Sequence, residues 1–286
     1  MEARLVRSED PKIILHSWER DDDARANPPS FIPRAYVTKR SKGLQVRKSG
    51  KNLKWISFHE PGFPNTIDIV GDLKHDDMRA VAVYALEIED MLARTIGGPP
   101  KTIPFRLRFF SKRLEFSLMA QKVGASNALS YYNPGTRDIV MWFDETMTHD
   151  QLQALIAHEL THAYMDIVND CHGPLWFQEG MAEYFQHFTW ENGQLEPGAI
   201  NEVELSNLMR AGGPIPIEEF VKVTRARMYS PEEFQRLYAQ AWTVVHFLAE
   251  YEPNVIKELL QRQPANVRGM DREWQEHLRS MIGSPR

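Results

Sequence analysis

The spacing of hydrophobic residues in the first third of the chain predicts short strands followed by one long helix. Between residues 35 and 72, short apolar segments such as 55–58 and 66–70 are separated by polar residues, which is typical of short strands. From Asp76 to about Ile96 the apolar residues recur instead at helical intervals. Gly97-Gly98-Pro99-Pro100 is expected to end that helix.

A second group of strands is predicted before the middle of the chain. The segment 104–110 is expected to form a strand, and an irregular helix is expected near 111–122. Two apolar segments, 128–132 and 138–143, flank the turn sequence Asn133-Pro134-Gly135-Thr136. This arrangement predicts a hairpin.

The second half of the chain has a mainly helical pattern. Thr148 followed three residues later by Gln151 has the form of a capping box, so a helix is expected to begin about ten residues before His158. Further helices are predicted near 201–211, 231–251, 254–262 and 270–282. We therefore expect an α+β protein in which a small mixed sheet is followed by a helical C-terminal half.

Length and charge add the domain organisation and exclude one class of protein. With 286 residues and 42% hydrophobic content, the chain can bury one large core or two small ones. We expect a polar, poorly ordered arm over residues 1–32 and a single domain over 33–286, which divides into a mainly sheet-forming part (33–147) and a helical part (148–286). The net charge of −5 and the pI of 6.1 argue against a nucleic-acid-binding protein.

The sequence also limits the expected location of the protein. It has no run of about 18 apolar residues, so no transmembrane segment is expected. The first thirty residues lack the apolar core of a secretory signal, which favours a cytoplasmic location; an exported protein whose signal is not part of this sequence is the alternative. Cys171 is the only cysteine, so no intrachain disulfide is expected.

The sequence His158-Glu159-Leu160-Thr161-His162 carries the strongest functional signal. On a helix, His158 and His162 lie one turn apart on the same face, where both imidazoles can share one small cation. Glu159 lies about 100° around the helix, beside the metal, which suits a base that acts on metal-activated water. The alternative is a buried amphipathic helix with histidines that are only hydrogen-bonded, which would leave Glu159 without a purpose in an apolar flank.

A hydrolytic zinc site needs a third protein ligand and an open fourth position. Glu179 is the preferred ligand because it follows His162 by 17 residues, enough for a turn near 169–174 and an antiparallel second helix. Glu183 lies one turn after Glu179 and is placed to accept the ring N–H of a zinc-bound histidine. Asp166 and Glu183 both remain rivals for the position of third ligand.

Two segments resemble the gluzincin zinc metallopeptidases, a peptidase-MA-like family that includes thermolysin and aminopeptidase N. Ala157-His158-Glu159-Leu160-Thr161-His162-Ala163-Tyr164 is similar to the active-site helix of that family. Pro174-Leu175-Trp176-Phe177-Gln178-Glu179-Gly180-Met181-Ala182-Glu183-Tyr184-Phe185 is similar to its glutamate helix. The resemblance implies a zincin-like fold, in which an edge strand of the sheet pairs with the substrate backbone.

The resemblance also implies a role for each matched residue. One zinc ion would be bound by His158, His162 and Glu179. Glu159 would be the general base, and Glu183 would be the carboxylate that holds the first histidine.

A third segment, Tyr238-Ala239-Gln240-Ala241-Trp242-Thr243-Val244-Val245-His246-Phe247-Leu248, resembles a further helix of aminopeptidase-type gluzincins. The resemblance implies that Tyr238 stabilises the oxyanion of the tetrahedral intermediate. An ordinary amphipathic tyrosine at a helix start is the alternative. His246 lies off the face of Tyr238, and we interpret it as a hydrogen-bonded core or surface histidine.

The activity implied by the resemblance is zinc-dependent hydrolysis of a peptide or protein substrate. The chain lacks the Gly-x-Met-Glu-Asn sequence with which aminopeptidase-type members capture the amine of the substrate, so an endopeptidase is favoured. Two other hypotheses stay open. One is a zinc-binding module that recognises a peptide without cleaving it, and the other is a zinc hydrolase of non-protein substrates.

Overall fold

The strands in the described residues form a seven-stranded sheet and a two-stranded hairpin. The structure is a computed structural model that describes residues 14–16, 31–50, 55–59, 66–71, 73–97, 105–125, 128–143, 146–169, 173–262 and 266–283. The strands are β1 (Ile14–His16), β2 (Gln45–Gly50), β3 (Trp55–His59), β4 (Thr66–Gly71), β5 (Arg106–Phe110), β6 (Ser130–Asn133), β7 (Asp138–Trp142), β8 (Phe188–Glu191) and β9 (Gln194–Pro197).

Helices surround the sheet and make up most of the second half. They are α1 (Arg34–Ser41), α2 (His75–Ile96), α3 (Arg113–Lys122), α4 (His149–Asn169), α5 (Leu175–Gln186), α6 (Glu202–Arg210), α7 (Ile217–Phe220), α8 (Arg225–Met228), α9 (Phe234–Tyr251), α10 (Pro253–Leu260) and α11 (Asp271–Gly283), with a 3₁₀ turn at Arg268–Met270 before α11. The prediction of an α+β protein is confirmed.

The large sheet is mixed, as predicted, and has the order β1-β6-β7-β5-β4-β3-β2. Strand β5 is parallel to both β4 and β7, and the other pairs are antiparallel. The parallel step from β4 to β5 is made by α2, the long helix between them. Strand β6 therefore lies between β7 and the short β1, close to one end of the sheet.

Alternate side chains of β6 and β7 enter two different cores. Tyr132 and Ile139 point into the main core that α2 and α4 share. Their neighbours Tyr131 and Val140 pack instead with Phe116 of α3 in a smaller cluster on the opposite face. The sheet is thus covered on both faces at this point, and β6 packs against α4.

The long helix predicted from Asp76 is present almost as expected. It runs as α2 from His75 to Ile96, and Gly97 ends it with a φ of +81°. The apolar residues that define its spacing are buried: Met78, Val81, Val83, Leu86, Ile88, Met91 and Leu92. The hairpin of β6 and β7 and the helices α6, α9, α10 and α11 also follow the predicted segments.

The structure differs from the sequence prediction in several elements. Residues 34–41 were expected to belong to a region of short strands but form α1, which packs on α2 and has Val37 as its buried side chain. With a single buried position, the segment carries no helical period that the sequence could reveal. The short helices α7 and α8 and the hairpin of β8 and β9 also lack a recognisable period.

Within the predicted N-terminal arm, the three residues of β1 pair with β6. The rest of residues 1–30 lies outside the described part of the chain, as do residues 170–172 of the predicted turn, which include Cys171. In the described residues, no helix is both long enough and apolar enough to cross a lipid bilayer.

Candidate metal centre

Helix α4 begins at the predicted capping box. The backbone N–H of Thr148 donates to Oε1 of Gln151 at 2.9 Å, and the backbone N–H of Gln151 donates to Oγ1 of Thr148 at 3.1 Å. From there the helix runs through the core, where its apolar and small residues are buried: Leu152, Ala154, Leu155, Ile156, Ala157, Leu160 and Ala163. The two histidines therefore lie deep inside the protein, as the apolar flanks predicted.

His158, His162 and Glu179 converge on one point. Nε2 of His158 lies 3.2 Å from Nε2 of His162, and Oε2 of Glu179 lies 3.7 Å from each of these nitrogens. The three side chains form a group able to hold a metal ion. Glu179 comes from α5, the next helix along the chain, which packs against α4.

The two rival ligands have other partners. Asp166 accepts a hydrogen bond of 2.9 Å from the Tyr132 hydroxyl, one turn beyond His162. Oε1 of Glu183 lies 3.4 Å from Nδ1 of His158, on the opposite side of that ring from Nε2. Neither carboxylate belongs to the group that Glu179 completes.

The distances within the group suit a tetrahedral zinc ion. Zinc bonds of about 2.0 to 2.1 Å place two neighbouring ligand atoms about 3.3 Å apart, which is close to the 3.2 and 3.7 Å separations observed. Oε2 of Glu179 is buried and makes no hydrogen bond within the described structure. A buried carboxylate oxygen normally has a partner, and a cation at this point would supply one.

Glu159 lies beside the group and is held by the sheet. The Ser130 hydroxyl at the start of β6 donates a 2.7 Å hydrogen bond to Oε1 of Glu159, and the backbone of Tyr132 provides another. Oε2 of Glu159 is buried and makes no hydrogen bond in the described residues. One oxygen is thus fixed while the other keeps its lone pairs for a proton.

Two tyrosines surround the Glu179 carboxylate. The hydroxyl of Tyr229, which follows α8, donates to Oε1 of Glu179 at 2.6 Å. Tyr238, in the first turns of α9, also hydrogen-bonds to Glu179 and is 5% exposed. The structure therefore brings Tyr238 to the site, as the sequence resemblance implies, and adds Tyr229 beside it.

Gly180 allows the helices that carry Glu179 and Tyr238 to approach closely. A Cβ at this position would lie 2.5 Å from the carbonyl oxygen of Ala241 and 2.7 Å from Cγ2 of Val245, both on α9. Any side chain would have to push α5 and α9 apart, because one of these contacts is backbone. The glycine after Glu179 thus sets the distance between the carboxylate and Tyr238.

The electrostatics of the centre favour a bound cation. Burial by itself lowers the pKa of His158, but Glu183, Glu159 and Glu179 together raise it to about 9. Burial raises the pKa of Glu159 and of Glu179 to about 7, although His158 acts in the opposite direction on both. Without metal, the centre therefore binds protons in the place of a cation.

Burial and the charge of Glu179 also raise the pKa of Tyr229 and of Tyr238 well above the usual value for tyrosine. Both hydroxyls consequently keep their protons and act as hydrogen-bond donors.

Two residues of the centre were missed by the sequence analysis, Ser130 and Tyr229. Each comes from an element without a motif, and each reaches the site over a long interval in sequence. A hydroxyl within the predicted hairpin segment 128–132 was the available signal for Ser130, and the sequence holds no such signal for Tyr229.

Comparison with known proteins gives one partial match. Residues 153–266, less than half of the chain, match the model of a family described as "Protein of unknown function (DUF1570)". The matched segment contains all three candidate ligands together with Tyr229 and Tyr238, whereas Ser130 lies before it. A search of curated proteins gives no match to the chain. The centre is thus part of the segment that this chain shares with the matched family.

Proposed function

We propose that the protein is a zinc-dependent peptidase of gluzincin type with a zincin-like fold. The observation that carries the proposal is Glu159, a buried carboxylate that interacts electrostatically with His158 and Glu179, two of the three side chains that converge. Three protein ligands leave one position open on a tetrahedral metal, as in hydrolytic zinc sites, whereas structural zinc sites are closed by four.

The proposed chemistry divides between the metal and the residues around it. Zinc, when bound, lowers the pKa of a water ligand and polarises a carbonyl oxygen. Glu159 accepts a proton at Oε2 and later delivers it to the leaving amine. Ser130 supports this role because it holds Oε1, which leaves Oε2 as the oxygen without a hydrogen bond in the described residues.

The two tyrosines supply hydrogen-bond donors to the same region. Tyr238 is the preferred donor to the oxyanion of the tetrahedral intermediate, since its helix is the one that resembles the family. Tyr229 is a positioning residue in this proposal, because its hydroxyl holds Oε1 of Glu179 at 2.6 Å. That hydrogen bond directs Oε2 towards the two histidines.

Substrate access requires part of the structure to move. The three ligands and Glu159 are at most 2% exposed, so a peptide reaches them only after the residues that bury them move away. The strand nearest to Glu159 is β6, and both of its edges are paired, with β7 and with β1. A substrate that pairs with β6, as the family resemblance implies, would replace the three residues of β1.

One alternative is a zinc-binding module that recognises a peptide without cleaving it, and the complete burial of the centre is compatible with zinc that only holds α4 and α5 together. Glu159 argues against that alternative, because metal binding alone does not need a further buried carboxylate beside the ligands. A peptide-library digest followed by mass spectrometry separates the two functions. Cleavage at defined bonds supports the peptidase, and tight binding without cleavage supports the module.

The test of the proposal is the Glu159→Gln variant. An amide of the same shape cannot take the proton, so we expect hydrolysis to fall by roughly 10² to 10⁴ while zinc stays bound. Asp166→Asn is the matched control, because it removes a carboxylate from the same helix and keeps an oxygen for Tyr132. Full activity of Glu159→Gln would show that Glu159 is not the base.

A further inference from the structure

A second cluster of metal-ligating side chains lies between α9 and α11. His246 and Glu250 are one turn apart on α9, and His277 faces them from α11. Nδ1 of His246 lies 3.0 Å from Nε2 of His277 and 3.8 Å from Oε2 of Glu250. The sequence interpretation of His246 as a hydrogen-bonded histidine is confirmed, but it did not anticipate these two neighbours.

The backbone of Gly198 fixes the tautomer of His246. Nε2 of His246 lies 3.0 Å from the carbonyl oxygen of Gly198, which only accepts hydrogen bonds, so Nε2 carries the proton. In the neutral ring, Nδ1 then keeps its lone pair and faces His277 and Glu250. A backbone carbonyl that holds the outer nitrogen of an imidazole is a common feature of metal-ligating histidines.

The Gly198 carbonyl is itself held firmly. Gly198 has a φ of +83°, and its N–H donates to the carbonyl oxygen of His187 at 2.8 Å. A Cβ at this position would lie 2.5 Å from the ring of Tyr184, so the conformation depends on glycine for two reasons. The backbone at Gly198, directly after β9, therefore fixes the orientation of the His246 ring.

The hydrogen bonds of the cluster leave one buried nitrogen without a partner. If Nδ1 of His246 is an acceptor, Nε2 of a neutral His277 must be the donor, and Nδ1 of His277 then bears a lone pair. Within the described structure this Nδ1 is buried and makes no hydrogen bond, and it lies 3.8 Å from the Glu250 carboxylate. The lone pair of this nitrogen and the negative carboxylate repel each other. A positive charge within the cluster would remove this unfavourable interaction.

We propose that Nδ1 of His246, Nε2 of His277 and Oε2 of Glu250 bind a divalent transition-metal ion, for which zinc is the best fit. Nε2 of His277 then ligates the metal, and Nδ1 of that ring carries the proton and faces Glu250. Two imidazoles and one carboxylate are a ligand set that suits zinc. The Glu250 side chain is 50% exposed, so water has access to the remaining positions.

The environment keeps both histidines in the form that binds metal. Burial lowers the pKa of His246, and burial together with the neighbouring His246 lowers the pKa of His277. Both rings are therefore neutral near pH 7. A metal ion here would join the terminal helix α11 to α9, the helix that also carries Tyr238.

The experiment counts zinc in the full chain after equilibrium dialysis against micromolar Zn²⁺. We expect two zinc ions per wild-type chain and one in His162→Ala, which removes a ligand of the first centre. Glu250→Gln should also bind one, and the double variant none. Glu252→Gln, an exposed carboxylate at the end of the same helix, is the matched control and should bind two.

Thermal unfolding of His162→Ala provides the second readout. Added Zn²⁺ should raise the melting temperature of this variant, and the rise should disappear when Glu250→Gln is combined with it. If the wild-type chain binds one zinc ion and His162→Ala binds none, the second site does not exist. A protonated His277 paired with Glu250 would then explain the cluster. One zinc that is lost only in Glu250→Gln would support the second site and contradict the proposed function.

Discussion

Oε1 of Glu183 lies 3.4 Å from Nδ1 of His158, while Nε2 of the same ring faces His162 and Glu179. The carboxylate can accept the N–H of this ring only when Nδ1 carries the proton, which leaves the lone pair of Nε2 for a metal. Because Glu183 follows Glu179 by one helical turn, α5 supplies both a ligand and the group that orients a second ligand. A displacement of α5 would therefore move the ligand Glu179 and the orienting carboxylate of Glu183 at the same time.

The first prediction concerns this orientation. Glu183→Ala should lower the zinc affinity of the first centre by about 10- to 100-fold, because the His158 ring loses the group that fixes its tautomer. Competition with a chelator measures the affinity. Glu202→Ala, which removes an exposed carboxylate on α6, is the control and should leave zinc binding unchanged. An unchanged affinity in Glu183→Ala would contradict the proposed role.

The second prediction separates the two tyrosines. Tyr238→Phe should lower kcat by about 10²- to 10³-fold and leave KM nearly unchanged, because it removes a donor to the transition state. It should lower zinc affinity less than Tyr229→Phe does, because Tyr229 makes the stronger of the two hydrogen bonds to Glu179. Tyr229→Phe should instead weaken zinc binding, because Oε1 of Glu179 loses its 2.6 Å hydrogen bond. Tyr36→Phe removes a hydroxyl bound to Glu87 and serves as the control. If only Tyr229→Phe lost kcat, and its zinc binding stayed intact, Tyr229 would be the oxyanion donor in place of Tyr238.

The third prediction tests the close approach of α5 and α9. Gly180→Ala should lower the free energy of unfolding by about 1 to 3 kcal/mol, because the new methyl group meets the Ala241 carbonyl. Urea denaturation measures this change, and zinc affinity should fall with it as Glu179 is displaced. Gly269→Ala is the control, since a Cβ there meets no other atom within 4 Å. Equal stabilities of the two variants would show that α5 can shift at no cost.

The fourth prediction concerns pH and the metal-free protein. Burial, together with the charge of Glu183, raises the pKa of Glu204 to about 8. The folded protein then holds this proton more tightly than the unfolded chain, so stability is lost as the pH rises from about 4.5, the unfolded value, through 8. Glu204→Gln cannot lose a proton, and its stability relative to the wild type should increase over this range. A constant difference between pH 5 and pH 8 would contradict the raised pKa; the exposed Glu202→Gln is the control.

The parts of the site that the sequence predicted are those fixed by local geometry. His158 and His162 share a helical face because of their spacing, and the capping box of Thr148 and Gln151 places the start of that helix. Glu179 was predictable because its interval from His162 fits one turn between two antiparallel helices.

The parts that the sequence missed depend on contacts between distant elements. Tyr229 reaches Glu179 from the end of α8, a helix of four residues that has no period to detect. His277 meets His246 only because α11 packs on α9, and the spacing of 31 residues between them carries no information. The helix α1 was mistaken for strand because its single buried residue, Val37, gave no pattern.

The most direct test of the account is an anomalous difference map collected at the zinc absorption edge from crystals of the zinc-loaded protein. We predict a peak about 2.0 to 2.2 Å from Nε2 of His158, Nε2 of His162 and a carboxylate oxygen of Glu179, with a fourth position open towards Glu159. A map without a peak between these three side chains, or a peak closed by a fourth protein ligand, would contradict the proposed hydrolytic centre.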